Sequence, residues 1–239
     1  MSDTTIEAYI TNLGKYNEGE LCGEWLKLPA TKEDVQSLLA RIGVDGVVYE
    51  ETFIADYETD IDGLSGCLGE YESIDELNYL AVLLSDMNEW DLEKFKAALD
   101  YGDDTGSVKG LINLAQNLDC YDHNPDINSD ADLGYYYASE LGGLDVPESL
   151  GPYIDYEAYG RDIRLGEGGV FTDYGYVVNN GGSFTEYYSG RDDIPEECRI
   201  FAYPNPPEKM PIREQLEMYG SMASAQTAAD RPAPAREDS

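Results

Sequence analysis

Carboxylates outnumber every other chemically capable side chain here, with 49 Asp plus Glu against 1 His and 4 Cys. Closely spaced carboxylates can ligate cations, work as acid–base pairs, or, left unpaired in long runs, present an extended negative field. Cation ligation is suggested by Glu58-Thr59-Asp60-Ile61-Asp62-Gly63, which imitates the start of an EF-hand loop with glycine at position six. Position twelve should be a bidentate glutamate but is Gly69, and Glu70 comes one residue late,. A second run, Asp122-His123-Asn124-Pro125-Asp126-Ile127-Asn128-Ser129-Asp130, alternates oxygen ligands. It carries Ile127 where glycine belongs and Leu133 in place of the glutamate. Both patterns fail, so no specific metal site and no cofactor is expected, only loose cation binding by the surface as a whole.

Catalysis has little to work with. His123 lies in a polar stretch that reads as a loop and is expected to be solvent-exposed rather than a general base. No Ser or Cys stands in a nucleophile elbow, and no G-x-G-x-x-G follows a strand. The GEGG run at 166–169 has no lysine beside it to make a phosphate cradle. Carboxylate pairs suited to glycoside hydrolysis arise by chance among so many acids. Tyr135, Tyr136, Tyr137, Tyr153, Tyr156 and Tyr159 read as helix-packing residues, because a base-stacking platform needs Arg or Lys beside its rings,. No catalytic residue is expected, and the chain reads as a non-enzyme.

The third option fits the charge. Formal net charge is −34 over 239 residues. Such a chain repels nucleic acid, anionic membranes and acidic substrates, and draws in basic surfaces by long-range steering. Duplex DNA carries about one charge per 1.7 Å of axis, so the net charge matches roughly 58 Å of duplex. Distribution says more than the total. Between Arg41 and Lys94 there are 15 acids and no base. Another base-free block runs from Lys109 to Arg161. A merely soluble surface mixes both signs; an acidic surface adapted to high salt is the bland alternative. Carboxylates at i and i+4 of a helix stand about 6 Å apart along the axis, and at i and i+2 of a strand about 6.6 Å. Both steps can string negative charge into a line like a phosphate backbone.

The elements that must carry these acids are legible in outline. Residues 5–11 and 21–28 read as short strands, and 32–42 as a helix capped by Thr31 and stopped by Gly43,. GVVYEETFIADY (46–57) reads as a strand with Val47, Tyr49, Phe53, Ala55 and Tyr57 on one face, interrupted only by Glu51,. Ser73 to Glu76 reads as a capping box opening a helix to about Asp86. Asn88 opens a second helix with Leu92, Phe95 and Leu99 as its apolar stripe, and a third spans about Ser107 to Asn117. A fourth opens at Ser129, with Asp132 completing another capping box, and a further helix is expected from Pro152. GGVFTDYGYVV reads as a strand ending at the turn 179–182, and CRIFAY (198–203) as one more. The fold class is therefore α+β, in three successive stretches. These are a small antiparallel sheet plus helix (1–62), a helical middle (63–104) and a mixed third unit (105–203). A Pro/Ala-rich tail (204–239) follows, expected to be largely disordered with one possible short helix, IREQLEMYG.

No basic stretch followed by an apolar run stands at the start, and no window approaches 18 apolar residues. The cysteines lie far apart without a C-x-x-C pair, as in reduced cytoplasmic proteins,.

ITNLGKYNEGELCGEWLKLP, FIADYE, EYESIDELNYLAVLLSDMNEWDLEKFKAALDYG and FTDYGYVV together resemble the ArdA antirestriction family of plasmids and conjugative transposons, over roughly residues 5–203. The resemblance implies a cytoplasmic DNA mimic that occupies the DNA-binding cleft of Type I restriction–modification enzymes. It also implies protection of incoming mobile DNA, an elongated chain of three small units in a row and a homodimer. The phosphate-mimicking acids would be Asp75, Glu76, Asp86, Glu89, Asp91, Glu93, Asp100, Asp103 and Asp104, followed by Asp119, Asp122, Asp126, Asp130 and Asp132. Lys94 and Lys96 interrupt the acidic helix and would salt-bridge neighbouring acids. A calcium-responsive binding protein and an acidic chaperone for basic nucleic-acid-binding proteins remain the alternatives.

Overall fold

The computed structural model describes residues 6–144 and 147–204, which fall within one unit. The tail from 205 onward, with its expected disorder and short helix, lies outside them, as does Thr5.

Strands β1 (Ile6–Asn12), β2 (Gly23–Leu28) and β3 (Thr52–Thr59) form an antiparallel sheet in the order β2-β1-β3. Alternation puts Ala8, Ile10, Leu26 and Leu28 into the core,. Helix α1 (Leu13–Asn17) follows β1, capped by Asn12. Helix α2 (Lys32–Ile42) buries Val35, Leu38, Leu39 and Ile42. Thr31 and Asp34 form its capping box, and Gly43 ends it in a left-handed conformation at φ 77°,.

The strand expected from residue 46 begins only at Thr52. Before it, the Asp45 carboxylate accepts the N–H groups of Val47, Val48 and Tyr49 at 2.8, 2.8 and 3.1 Å. Those donors are satisfied locally and need no ladder. Within β3 the register shifts, Tyr9 pairing Asp56 and Ile10 pairing Ile54, which leaves Ala55 as a bulge,. Ile54 and Tyr57 thus turn to the core while Phe53 lies on the other face against Tyr16. The single face expected from strict alternation is split.

Three helices follow: α3 (Ile74–Asp86), α4 (Glu89–Tyr101) and α5 (Val108–Gln116). Their apolar stripes are buried as the periodicity predicts, Leu77, Leu80 and Leu84 on α3 and Leu92, Phe95 and Leu99 on α4. Asn88 and Ser107 cap α4 and α5 through their side chains. The capping box at Ser73 does not form, since Ser73 makes no side-chain cap. Glu76 instead accepts the Tyr188 hydroxyl at 2.6 Å and Arg191 Nε at 3.3 Å.

The last part centres on a second antiparallel sheet. Its strands are β4 (Tyr121–Asn124), β5 (Val170–Thr172) and β6 (Gly175–Asn179), with β6 in the middle. GGVFTDYGYVV is therefore a hairpin rather than one strand, its turn closed by Gly175 at φ 105°. β4 carries His123, half-buried, whose Nε2 donates to the Tyr174 carbonyl at 2.7 Å; the exposed loop expected there is a paired strand. Helix α6 (Asp130–Tyr135) opens at Ser129, which accepts the Asp132 N–H, but the Asp132 carboxylate takes the Asn128 N–H and the Ser129 hydroxyl, so the box is incomplete. Helix α7 (Tyr156–Glu167) starts at an Asp155 cap, four residues later than expected, because Pro152 sits in a 3₁₀ turn at Glu148–Tyr153. CRIFAY is no strand: Ile200 and Phe201 donate their N–H groups to the Asp75 carboxylate at 2.8 and 2.6 Å.

The main core joins Ile54, Leu64, Leu99, Val108, Val177 and Ile200, residues on both sides of positions 62–63 and 104–105. A smaller cluster gathers Ile127, Leu133, Tyr176 and Val178.

Candidate functional site

The acids of the middle helices are positioned by what lies beneath them. Leu92, Phe95 and Leu99 anchor α4 by one face, leaving Glu89, Asp91 and Asp100 exposed and Glu93 half-buried. Glu89 and Asp91 occupy the first turn, where the helix dipole favours negative charge,. Asn88 accepts the Asp91 N–H at 3.0 Å and donates to its carboxylate at 2.6 Å, fixing it at the helix start. Asp86 closes α3, exposed, two residues before that cap. Beyond Gly102, Asp103 and Asp104 stand exposed in a turn, Asp104 at φ 55° and Asp103 receiving Asn179 Nδ2 at 3.2 Å.

A second group continues through the sheet. Asp119 and Asp122, both exposed, flank the start of β4, and Asn180 Nδ2 bridges the Asp119 carbonyl and the Asp122 carboxylate at 2.9 and 3.1 Å. Asp126 is exposed in the loop beyond β4, and Asp132 is exposed in the first turn of α6.

Three candidates are committed inside the fold. Asp75 holds two backbone N–H groups, and Glu76 holds Tyr188 and Arg191. Asp130 takes Arg164 in a bidentate pair at 2.7 and 3.2 Å, and these hydrogen bonds hold its carboxyl below the usual carboxylate range,. Burial raises the Tyr188 phenol first, and its bond to Glu76 adds to the rise.

Bases answer few of the acids. In the two base-free blocks only Glu76 and Asp130 pair with an arginine among the described residues. Among the described residues neither lysine of α4 forms the expected salt bridge. Lys96 lies 5.7 Å from the centre of the Tyr174 ring, and Lys94 lines a cavity of about 370 Å³ with Asp122 and His123.

One grouping escaped the sequence. Asp100 is raised above its usual range, first by desolvation, then by Asp173 and Asp62. Asp173 belongs to the hairpin turn, whose approach to α4 leaves no trace in local pattern. Asp62 accepts the Tyr174 hydroxyl at 3.4 Å. Among the described residues no three or more His, Cys, Asp or Glu converge as metal ligands, and no helix is long and apolar enough to cross a membrane.

No curated protein matches the chain. A sequence model of the family described as Antirestriction protein (ArdA) matches residues 8–178, a span that takes in nearly all of both sheets, all three middle helices and every candidate acid. The chain belongs to the ArdA family of antirestriction proteins.

Proposed function

We propose that this protein is a DNA mimic that fills the DNA-binding cleft of Type I restriction–modification enzymes and so shields incoming mobile DNA from cleavage. The observation that carries the reading is how few arginine pairs the two acidic blocks make among the described residues, only those of Glu76 and Asp130. Exposed carboxylates on α4, in the turn after it and around β4 stay available to a basic cleft. Asp86, Glu89, Asp91, Glu93, Asp100, Asp103, Asp104, Asp119, Asp122, Asp126 and Asp132 are the residues assigned to that surface. Asp75, Glu76 and Asp130 serve the fold first and add to the field from behind. The protein acts by occupancy rather than catalysis, in the cytoplasm where its target works, and as a pair of chains arranged in three units each.

The test is competition between purified protein and duplex DNA for a Type I enzyme across a salt series. A polyanion mimic displaces counterions from the cleft, so its affinity should fall by about 10³ or more between 50 and 200 mM salt. Single Asp→Asn changes should cost under about threefold, and six together should abolish inhibition. Salt-independent inhibition, or total loss from one conservative change, points instead to a discrete site.

A further inference from the structure

Residues 185–203 make almost no regular secondary structure, yet side chains from three different elements grip their backbone. At the C-terminal cap of α5, Asn117 donates to the Thr185 carbonyl and accepts its N–H, both at 2.8 Å. One turn earlier Asn113 does the same with Tyr188, at 2.7 and 3.0 Å. Each amide thus exchanges both bonds with one residue, as a paired residue does in an antiparallel ladder. On α3, Asn78 donates to the Cys198 carbonyl at 3.2 Å and accepts the Ala30 N–H at 2.9 Å. Asp75 takes the Ile200 and Phe201 N–H groups. The segment ends against α2 and the turn before β3, where Tyr203 donates its hydroxyl to the Glu50 carbonyl at 2.9 Å and its own carbonyl accepts Gln36 Nε2 at 3.0 Å.

Asn78, Asn113 and Asn117 are buried at 2 to 3% exposure. A buried amide without partners forfeits its hydration with no return, so each is there for the bonds it makes. The whole run lies beyond the stretch that matches the family.

We infer that residues 185–203 are an internal brace, with Asn78, Asn113 and Asn117 as positioning residues. The brace fixes the first sheet against α3 and α5 and thereby sets the spacing of the acidic groups that a partner reads. This rests on the proposed mimicry, since spacing matters only to a partner that reads a pitch. The brace adds no charge to the partner's contact. It lowers the ordering cost of binding by holding the surface in one arrangement beforehand.

The experiment uses the full chain with Asn117→Ala, which removes both bonds to Thr185, and with Thr185→Pro, which removes the N–H donation from the strap side and stands in if the helix variant fails to fold,. Amide exchange at Tyr188, Ile200 and Ala30, and at Thr185 in the Asn117→Ala chain, is measured beside half-inhibition of a Type I enzyme over a salt series. Exchange at these positions should quicken about tenfold, including Ala30, which is tied to the strap through Asn78. Half-inhibition should require about tenfold more protein at every salt concentration, with the slope against salt unchanged because no charge is lost. Loss of strap protection with Ala30 unmoved overturns the brace, whatever inhibition does. Loss at both with inhibition unchanged overturns the positioning role. Should the wild type not inhibit at all, the mimicry falls while the exchange result still decides the brace.

Discussion

Asp100 shows how a single residue is pulled two ways. Its carboxyl, desolvated and facing Asp173 and Asp62, titrates above the ordinary value of 3.8. The folded state therefore binds that proton more tightly than the unfolded chain, and stability from this group is present at low pH and lost as pH rises through the raised value. Asp100→Asn should accordingly stabilise the protein at pH 7 by about 0.5 kcal/mol, an amount kept small by solvent screening. That gain should vanish below the ordinary carboxylate range, as chemical denaturation at both pH values would show. Inhibition should move the opposite way and weaken slightly. A variant that loses both stability and inhibition would contradict the placement of Asp100 on a working surface. Asp130 has the reverse sign: its lowered value contributes stability above 3.8 that is lost as pH falls through the folded value,.

At the level of elements, the crossing of α6 and α7 depends on two glycines. A Cβ on Gly134 would run into the Tyr156 carbonyl, and one on Gly160 into the Asp130 carbonyl. Both obstacles are backbone, which cannot swing aside. Gly134→Ala and Gly160→Ala should each cost about 3 kcal/mol or more in urea unfolding. Gly166→Ala on α7, where nothing lies within 4 Å, should instead stabilise by up to about 1 kcal/mol,. Equal behaviour of all three would mean that the helices are not in close contact. These elements were unevenly legible. Caps at Thr31 and Asn88 and the stripes of α3 and α4 could be read directly, because local hydrogen bonds and periodicity decide them. The box at Ser73 was lost to long-range partners, Tyr188 and Arg191. β4 is four residues of mixed polarity, and only pairing with β6 makes it a strand. The strap at 185–203 was invisible, since side-chain amides from distant helices replace the ladder that sequence pattern detects. The acids themselves could be read as a block of charge; which ones the fold would claim could not.

The whole molecule raises the question of what meets its apolar surface. Between residues 135 and 165, Tyr135, Leu141, Leu144, Leu150, Tyr153 and Leu165 are exposed, Tyr153 to 83% and Leu165 to 68%. Strong mutual repulsion opposes self-association of so acidic a chain, so a dimer needs apolar area to offset it. Light scattering should give about twice the chain mass of 26.5 kDa. Tyr153→Asp with Leu165→Asp should return it to the single-chain value without unfolding. A wild type that scatters as one chain at 50 μM and 0.3 M salt removes the pairing from the proposal.

The composition holds 20 tyrosines against 5 phenylalanines. Some of those rings receive the cations that the acids do not. Lys96 rests over Tyr174, and Lys15 lies 5.9 Å from the Tyr49 ring. The π-face of a phenol is an electron-rich seat of no formal charge, so an ammonium group can be quieted there without consuming an aspartate. Aromatic seats of this kind let a strongly anionic surface keep the occasional lysine its packing requires while leaving the adjoining carboxylates unspent.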